Sequence, residues 1–429
     1  MEVGWFAVIK HILLNTVIIL MSIYSVFSIL YFLRQIFFSF TVHKEKKASL
    51  YTHLNLEYTP SVTVIIPAHN EEKTIELCLK SVLSFSYPKD KLEIIAINDR
   101  STDRTLSILK KIGKAHPHLK VHNRKKNTKS GKPAAIKEVM PQIESEIIIF
   151  FDADYHPGKK LLKKLVMPFI DPKVGATMGR VVPYNTNKNL LTRIIDLERR
   201  AGYTVDQEGR SAWRLMPQFG GTVGGIRLKA LQAVGGWNAN SLTEDTDLSY
   251  RLLLNGWDIE YLNHATCYEE SPETWRTRFR QLKRWSYGHN ECMLKYTIPL
   301  IKERRIPFWK KVDALLVLFS FFYAALTFLS IPLCILLHTI YEDAFLLFLY
   351  IPALTHITGL SYFGLYWQII MASIYDRQTH VLAWVPFLPF SSALNGWAIF
   401  SGCFKLFKDR IRKQKFEWQK TPRYTNWST

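Results

Sequence analysis

The sequence predicts an α/β protein whose mostly parallel, doubly wound sheet carries helices on both faces and is flanked by membrane-spanning helices. Three observations predict it. Short β-branched runs alternate with helix-periodic segments between Ser61 and Trp285, several of those runs end in acidic residues, and long apolar stretches lie near the two ends of the chain. The 429 residues provide for two to three domains, and the apolar share of 48% is ordinary for a soluble protein, so the distribution is more informative than the mean. Lys and Arg number 56 against 36 Asp and Glu, a formal charge of +20 that suits an anionic partner such as a phospholipid surface or a sugar nucleotide. The five cysteines form no CxxC pair and no zinc-ligand cluster, and read as buried thiols.

From Ile12 to Leu33 there are 22 residues without a charge, enough to cross a hydrocarbon core of about 30 Å. Lys10 alone precedes this stretch among basic residues, whereas Arg34, Lys44, Lys46 and Lys47 follow it, so the positive-inside bias places the central region in the cytoplasm. Residues 41–60 read as a linker. Val62–Ile66 is the first strand; Glu71–Leu83 is helix-periodic with Asn70 as its N-cap; Leu92–Ile97 is a strand; Thr102–Ile112 is a helix capped by Ser101; Glu146–Phe151 is a later strand. Ile298–Val312 mixes Trp309 and aliphatics with five basic residues, the composition of an interfacial helix or of a basic loop. Ala314–Leu337, Phe345–Ile374 and Val381–Phe404 are candidate spans by hydropathy. The segment Lys405–Arg423, with eight Lys and Arg, belongs on the cytoplasmic side, which requires an even number of C-terminal crossings. A broken, re-entrant or interfacial segment at Pro386 and Pro389 reconciles the two.

In a doubly wound sheet, ligands bind off the carboxyl ends of the strands. There the sequence places Pro67-Ala68-His69-Asn70-Glu71, then Asp99, then Asp152-Ala153-Asp154. One Asp after a strand is most often a cap or turn former; recurrence at one edge argues for a site. Asp152 and Asp154, two apart and directly after EIIIFF, face one side in extended backbone and offer hard oxygen ligands to Mg²⁺ or Mn²⁺, and through such an ion to a diphosphate. Lys132 supplies a further positive charge, without a full phosphate-loop motif around it. The glycine-rich run Gly220–Gly225 is flexible enough to approach a ligand, although such runs are more often only turns. Thr243-Glu244-Asp245 opens a helical pattern and on its own reads as a capping box. Basic residues from Arg276 to Arg284 interleave with Trp275, Phe279 and Trp285, which by composition fits a membrane-surface or nucleic-acid helix.

In order and together, Asp99, Asp152-Ala153-Asp154, Thr243-Glu244-Asp245 and Gln281-Leu282-Lys283-Arg284-Trp285 resemble the signature of processive family 2 glycosyltransferases. That group contains the bacterial cellulose, hyaluronan, chitin-oligosaccharide and poly-N-acetylglucosamine synthases. The resemblance implies a cytoplasmic GT-A-type domain over residues 61–290, followed by an interfacial helix (291–312), a membrane region (313–404) and a basic tail (405–429). It implies that Asp99, with Pro67, Asn70 and Glu71, holds the uridine of a UDP-sugar, and that Asp152 and Asp154 take the nucleotide and a metal-bound diphosphate. It makes Asp245 the general base, puts Glu244 beside it in the substrate site, and places Gln281, Arg284 and Trp285 at the acceptor and diphosphate. The implied reaction is inverting transfer from UDP-N-acetylglucosamine or UDP-glucose to a β-linked polysaccharide, coupled to export at the cell membrane. The implied partners are the donor, the glycan acceptor, lipid, and an accessory membrane subunit or second copy, with no nucleic acid. The alternatives are a non-processive transferase acting on a lipid-linked acceptor and, more remotely, a transporter or scaffold, which would not turn over a nucleotide sugar.

Overall fold

The computed structural model describes residues 2–42, 58–125, 128, 131–340, 360, 362–414 and 424. Most of the linker, much of the Phe345–Ile374 stretch and most of the basic tail therefore lie outside the described residues. The chain opens with α1 (Glu2–Thr41) and then builds a sheet whose first strands and helices alternate: β1 (Val62–Ala68), α2 (Ile75–Leu83), β2 (Leu92–Asn98), α3 (Thr105–Ala115), β3 (Leu119–Asn123), α4 (Lys132–Val139) and β4 (Ile147–Phe150). The short β5 (His156–Pro157), β6 (Val174–Pro183), α5 (Leu190–Arg200), β7 (Gly224–Arg227), α6 (Glu244–Leu254) and β8 (Asp258–Glu269) complete it. α7 (Trp275–Lys302), α8 (Phe308–Ile340) and α9 (Leu388–Arg412) follow.

Strand side chains alternate between faces, and here both faces are apolar. Val62, Val64 and Ile66 of β1 join Ile94, Ala96, Ile147 and Ile149 in one core with Ile75, Cys78, Leu79 and Val82 of α2. Ile65 joins Ile95, Ile97, Ile148 and Phe150 in a second core on the opposite face, with Ala135, Ile136 and Val139 of α4 and Leu248 and Leu252 of α6. Helices on both faces of an α/β sheet are thus as the sequence predicts. The strand order is β3-β2-β1-β4-β7-β6-β8-β5. Four of the seven pairings are parallel; β7 runs antiparallel to both β4 and β6, and β5 antiparallel to β8. Gly224 and Gly225 are therefore strand residues. A Cβ at Gly225 would lie 2.6 Å from Ile149 Cδ1, and one at Gly224 would strike the Thr177 carbonyl oxygen, so bare backbone rather than flexibility is needed there. In that run Gly221 and Val223 have left-handed φ values, +72° and +47°.

Several local expectations are corrected. α2 starts at Ile75, not Glu71, because the Glu71 carbonyl takes the Thr74 and Ile75 N–H groups in a preceding turn. Asn70 does not cap it: its φ is +54°, and its Oδ1 accepts from the Thr102 N–H at 2.7 Å, fastening one loop to the next. Ser101 does not cap α3, since its hydroxyl accepts from the Asn70 N–H; Asp103 accepts from Thr105 instead. Residues 298–312 are not one segment but the end of α7, a break at 303–307 and the start of α8.

Among the described residues, Ser22–Thr41 and Phe308–Ser330 are long and apolar enough to cross a membrane. They pack together through Tyr31 stacked on Tyr323 at 4.4 Å and Phe27 on Phe319 at 5.7 Å. The candidate span Val381–Phe404 is broken, with a 3₁₀ stretch Thr379–Phe387 ahead of α9. That stretch packs Val381, Trp384 and Val385 on Ile194 and Leu197 of α5. α9 crosses α7 closely: Ser286 Oγ donates to the Ile399 carbonyl at 2.7 Å, and a Cβ at Gly402 would collide with the Lys283 carbonyl oxygen.

Asp376, just after helical residues 362–375, joins these helices to the sheet. It receives both terminal nitrogens of Arg180 on β6 and one from Arg200 at the end of α5, and all three side chains are largely buried. Asp376→Ala leaves two guanidiniums without that carboxylate, and the expected cost is about 3–5 kcal/mol, measured as a lowered Tm of the detergent-solubilised protein.

Candidate active site

A cavity of about 1440 Å³ opens at the carboxyl ends of β1, β2 and β4, where the sheet topology demands it. It is lined by Pro67, Glu71, Asp99, Lys132, Asp152 and Asp154, and across from them by Glu244, Asp245, Gln281, Arg284 and Trp285. Every candidate from the sequence except Asn70 is brought to this one space.

Asp99 is 3% exposed and its carboxylate is fully engaged. Oδ1 accepts from Arg100 Nε at 2.9 Å and Arg124 Nη1 at 2.6 Å, and Oδ2 from the Gly131 N–H at 3.0 Å. Burial pushes its pKa up, but these donors outweigh it and hold the carboxyl below the usual aspartate value. Asp99 thereby fastens the turn at Gly131, whose φ of +104° a glycine tolerates, immediately before Lys132.

Lys132 Nζ donates to Asp152 Oδ1 at 2.6 Å and to the Gly221 carbonyl at 2.9 Å. Burial alone would lower its pKa; Asp152 and Glu244 reverse that and raise it. β4 ends at Phe150, and a turn begins in which the Tyr155 N–H donates to the Asp152 carbonyl. Asp152 and Asp154 therefore reach the cavity through a turn, not through extended alternation. Asp154 is 1% exposed, whereas the Asp152 side chain is 28% exposed. No cluster of three or more His, Cys, Asp or Glu side chains suited to a metal occurs among the described residues. Asp152 and Asp154 are the hard-oxygen side chains here that would hold a divalent cation.

Thr243 is not the side-chain cap of α6. Its hydroxyl lies 3.7 Å from Cys292 Sγ, because α7 presses on it where Gly288 has no Cβ. Asp247, one turn into α6, takes Tyr296, Lys295 and Arg251. Asp245 Oδ1 accepts from the Thr246 N–H at 2.7 Å. Burial pushes the carboxyls of both Glu244 and Asp245 up, and Lys132 and Arg284 only partly pull them back. Arg284 faces Glu244, Asp245 and Asp152, and burial lowers its pKa. Gln281 Oε1 accepts from Arg278 at 3.0 Å. The Trp285 ring is approached by the guanidiniums of Arg199 at 5.7 Å and Arg278 at 5.9 Å.

The family model for glycosyltransferase like family 2 matches residues 60–288, more than half of the chain and every candidate site residue from Pro67 to Trp285. This chain belongs to glycosyltransferase family 2. The transferase is 32% identical over 379 residues to a protein of Bacillus subtilis (strain 168) named "Probable glycosyltransferase YdaM", covering 86% of this chain and 88% of the relative. It is 34% identical over 248 residues to a beta-monoglucosyldiacylglycerol synthase of Nostoc, covering 57% of this chain and 52% of that one. In fold it is similar to the mannosyltransferase PcManGT of Pyrobaculum calidifontis, with a TM-score of 0.51, 20% identity, and coverage of 82% of this chain and 98% of that one.

The transferase also recruits residues that no motif announced. Glu269 at the end of β8 accepts from Tyr155 Oη at 2.6 Å and pairs with Arg199 at 2.8 Å, bridging the turn after β4 to the helix behind Trp285. Gln207 and Gln218 also line the cavity. Nothing in their spacing distinguishes them from ordinary polar helix and loop residues.

Asp99→Asn is expected to lower Tm at pH 7. Because the native carboxyl lies below its ordinary value, the wild type's advantage is full above that value and lost as pH falls through the depressed one. The Tm gap between the two proteins should therefore narrow below about pH 4.

Proposed function

We propose that this glycosyltransferase is a membrane enzyme that adds sugars one at a time from a nucleotide sugar to a β-linked polysaccharide, inverting the anomeric centre. The observation that carries the reading is the continuity of the cavity. The space that holds Lys132, Asp152, Asp245 and Arg284 is also lined by Tyr31, Arg34 and Gln35 of α1 and Ser320 of α8. Arg34, Gln35, Ser320 and Gln368 give this lining polar groups to pair with a hydroxyl-rich chain, and Tyr31, Val317, Phe321 and Leu365 give it apolar faces for sugar rings. The domain carrying the chemistry is assigned to the cytoplasm and the two apolar helices to the membrane, on charge and length.

Asp245 accepts the proton of the acceptor hydroxyl as that oxygen attacks the anomeric carbon. Its raised pKa makes it a stronger base than an exposed aspartate. Lys132 and Arg284 face the departing diphosphate, and burial strengthens both interactions. Asp152 and Asp154 are the side chains that would hold Mg²⁺ or Mn²⁺, which when bound neutralises diphosphate charge. Asp99, saturated by Arg100, Arg124 and Gly131, contributes to the nucleotide pocket by fixing its wall. Trp285 offers an apolar face to the acceptor sugar. UDP-N-acetylglucosamine and UDP-glucose are the favoured donors, by the motif resemblance to the synthases of poly-N-acetylglucosamine, chitin oligosaccharides and cellulose. A second reading, one sugar added to a lipid, is favoured by the diacylglycerol acceptor in the name of the Nostoc relative.

Nucleotide release by the purified protein, screened over nucleotide sugars with Mn²⁺ or Mg²⁺, is expected with one donor; long products support the polysaccharide reading, and a singly glycosylated lipid supports the second. Asp245→Asn is expected to lower kcat by about 10²- to 10⁴-fold. In the wild type, kcat should fall as pH drops through a value above the ordinary aspartate range, since the base works only deprotonated. Chelation of divalent ions should abolish turnover, and Mn²⁺ or Mg²⁺ should restore it.

A further inference from the structure

Between α5 and the short helix Glu208–Ala212, the backbone widens into a π-helical turn over Ala201–Gln207. Such turns rotate the side chains that follow, and they recur at functional sites. Here the turn delivers Gln207, 9% exposed, onto the backbone of Gln218. Gln207 Oε1 accepts from the Gln218 N–H at 2.9 Å, and its Nε2 donates to the Gln218 carbonyl at 2.8 Å. One side-chain amide thus pairs with both backbone groups of a single residue, as a neighbouring strand would, and this fixes the loop that follows.

That loop rests on Asp245. Gln218 Nε2 donates to Thr246 Oγ1 at 2.7 Å, and the Thr246 N–H donates to Asp245 Oδ1. The Phe219 N–H donates to Ser249 Oγ at 3.1 Å, and Ser249 donates to the Asp245 carbonyl at 2.8 Å. A Cβ at Gly221 would lie 3.3 Å from Asp245 Cβ, so the loop backbone closes over one side of that residue. Behind Gln207 the network continues: Arg210 donates to its Oε1 at 3.2 Å and pairs with Asp206, which pairs at 2.7 Å with Arg34 of α1.

We propose that Gln218, held by Gln207 in the π turn, is a positioning residue that sets the orientation of the Asp245 carboxylate through Thr246. The inference rests on Asp245 being the base. Because Gln207 is tied through Arg210 and Asp206 to Arg34, that orientation is set against the first apolar helix as well as within the α/β domain. Lys132, Glu244 and Arg284 face Asp245 from α4, α6 and α7 and none of them holds Thr246, whose hydroxyl also lies 3.5 Å from His289 Nδ1 of α7.

The test is steady-state kinetics of the full chain in detergent, with the donor that supports turnover. Gln218→Met keeps the length of the side chain and removes its bond to Thr246; Thr246→Val removes the same bond from the other side, together with the hydroxyl's own 3.4 Å bond to Asp245 Oδ1 and its 3.5 Å contact with His289 Nδ1, and keeps the N–H to Asp245. Each is expected to lower kcat by about 10- to 100-fold, with donor KM within about twofold of wild type and the acid limb of the kcat–pH profile displaced. The double variant should lose little more than Thr246→Val alone. Unchanged kcat and acid limb in both singles, or losses that multiply in the double, would overturn the proposal. So would variants that accumulate only as unfolded protein, since the pair would then be structural. Asp245→Asn run alongside separates the two levels. If it retains near-wild-type kcat, the assignment of the base fails; if it is inactive while Gln218→Met is unaffected, only the positioning role fails.

Discussion

The ion pair between Lys132 and Asp152 is the contact around which the rest of this molecule is arranged. Asp152, Asp154, Glu244 and Asp245 are four of the carboxyl groups that line one cavity, and the cations Lys132 and Arg284 face Asp152, Glu244 and Asp245 there. Gathering that much like charge away from water is costly unless cations stand among it or some of the carboxyls take up protons. Both remedies are present: Lys132 bridges Asp152 to the Gly221 loop, while Glu244 and Asp245 are pushed toward the protonated form. A donor diphosphate would add further negative charge to this space, which the Mg²⁺ or Mn²⁺ proposed at Asp152 and Asp154 would offset. Asp99 serves the same end at one remove, because the turn it fastens at Gly131 sets where Lys132 begins.

The α/β domain and the apolar helices are not modules joined by a tether. Tyr250 of α6 donates to the Ala314 carbonyl of α8 at 2.7 Å, and His289 of α7 contacts the Val317 carbonyl at 2.9 Å. Tyr250 and Leu253 share a core with Met293 and Leu300 of α7 and with Val317 and Leu318 of α8. The helix whose first residues carry Glu244 and Asp245 is therefore buried directly against one that is apolar enough to span a bilayer.

Much of this was legible in the residues. Alternating β-branched runs identified β1, β2 and β4, because a strand buried on both faces leaves little room for polar side chains, and the acidic residues after them marked the cavity edge correctly. The antiparallel entry of β7 was not legible: Gly224 and Gly225 look like a turn until the neighbours on either side, Ile149 and Thr177, are known. Local pattern also misassigned Thr243 and Asn70, since a Thr or Asn before a helix is a cap only when nothing from elsewhere competes for it. In this chain Gly288 lets α7 crowd Thr243, and the Thr102 amide claims Asn70. The π turn and the pairing of Gln207 with Gln218 depend on contacts between distant segments, and no periodicity in a single sequence encodes them.

The crossing of α9 over α7 has a consequence for how this enzyme can diverge. At Gly402 the two helices meet with backbone against backbone, beside Lys283 and Ser286, in the segment that also presents Arg284 and Trp285 to the cavity. Any larger residue at Gly402 must tilt or slide the helix bearing those side chains. Lineages that exchange one acceptor for another therefore have a route that leaves the cavity wall itself untouched: a change of side-chain bulk in the last described helix, inherited as a shift in angle.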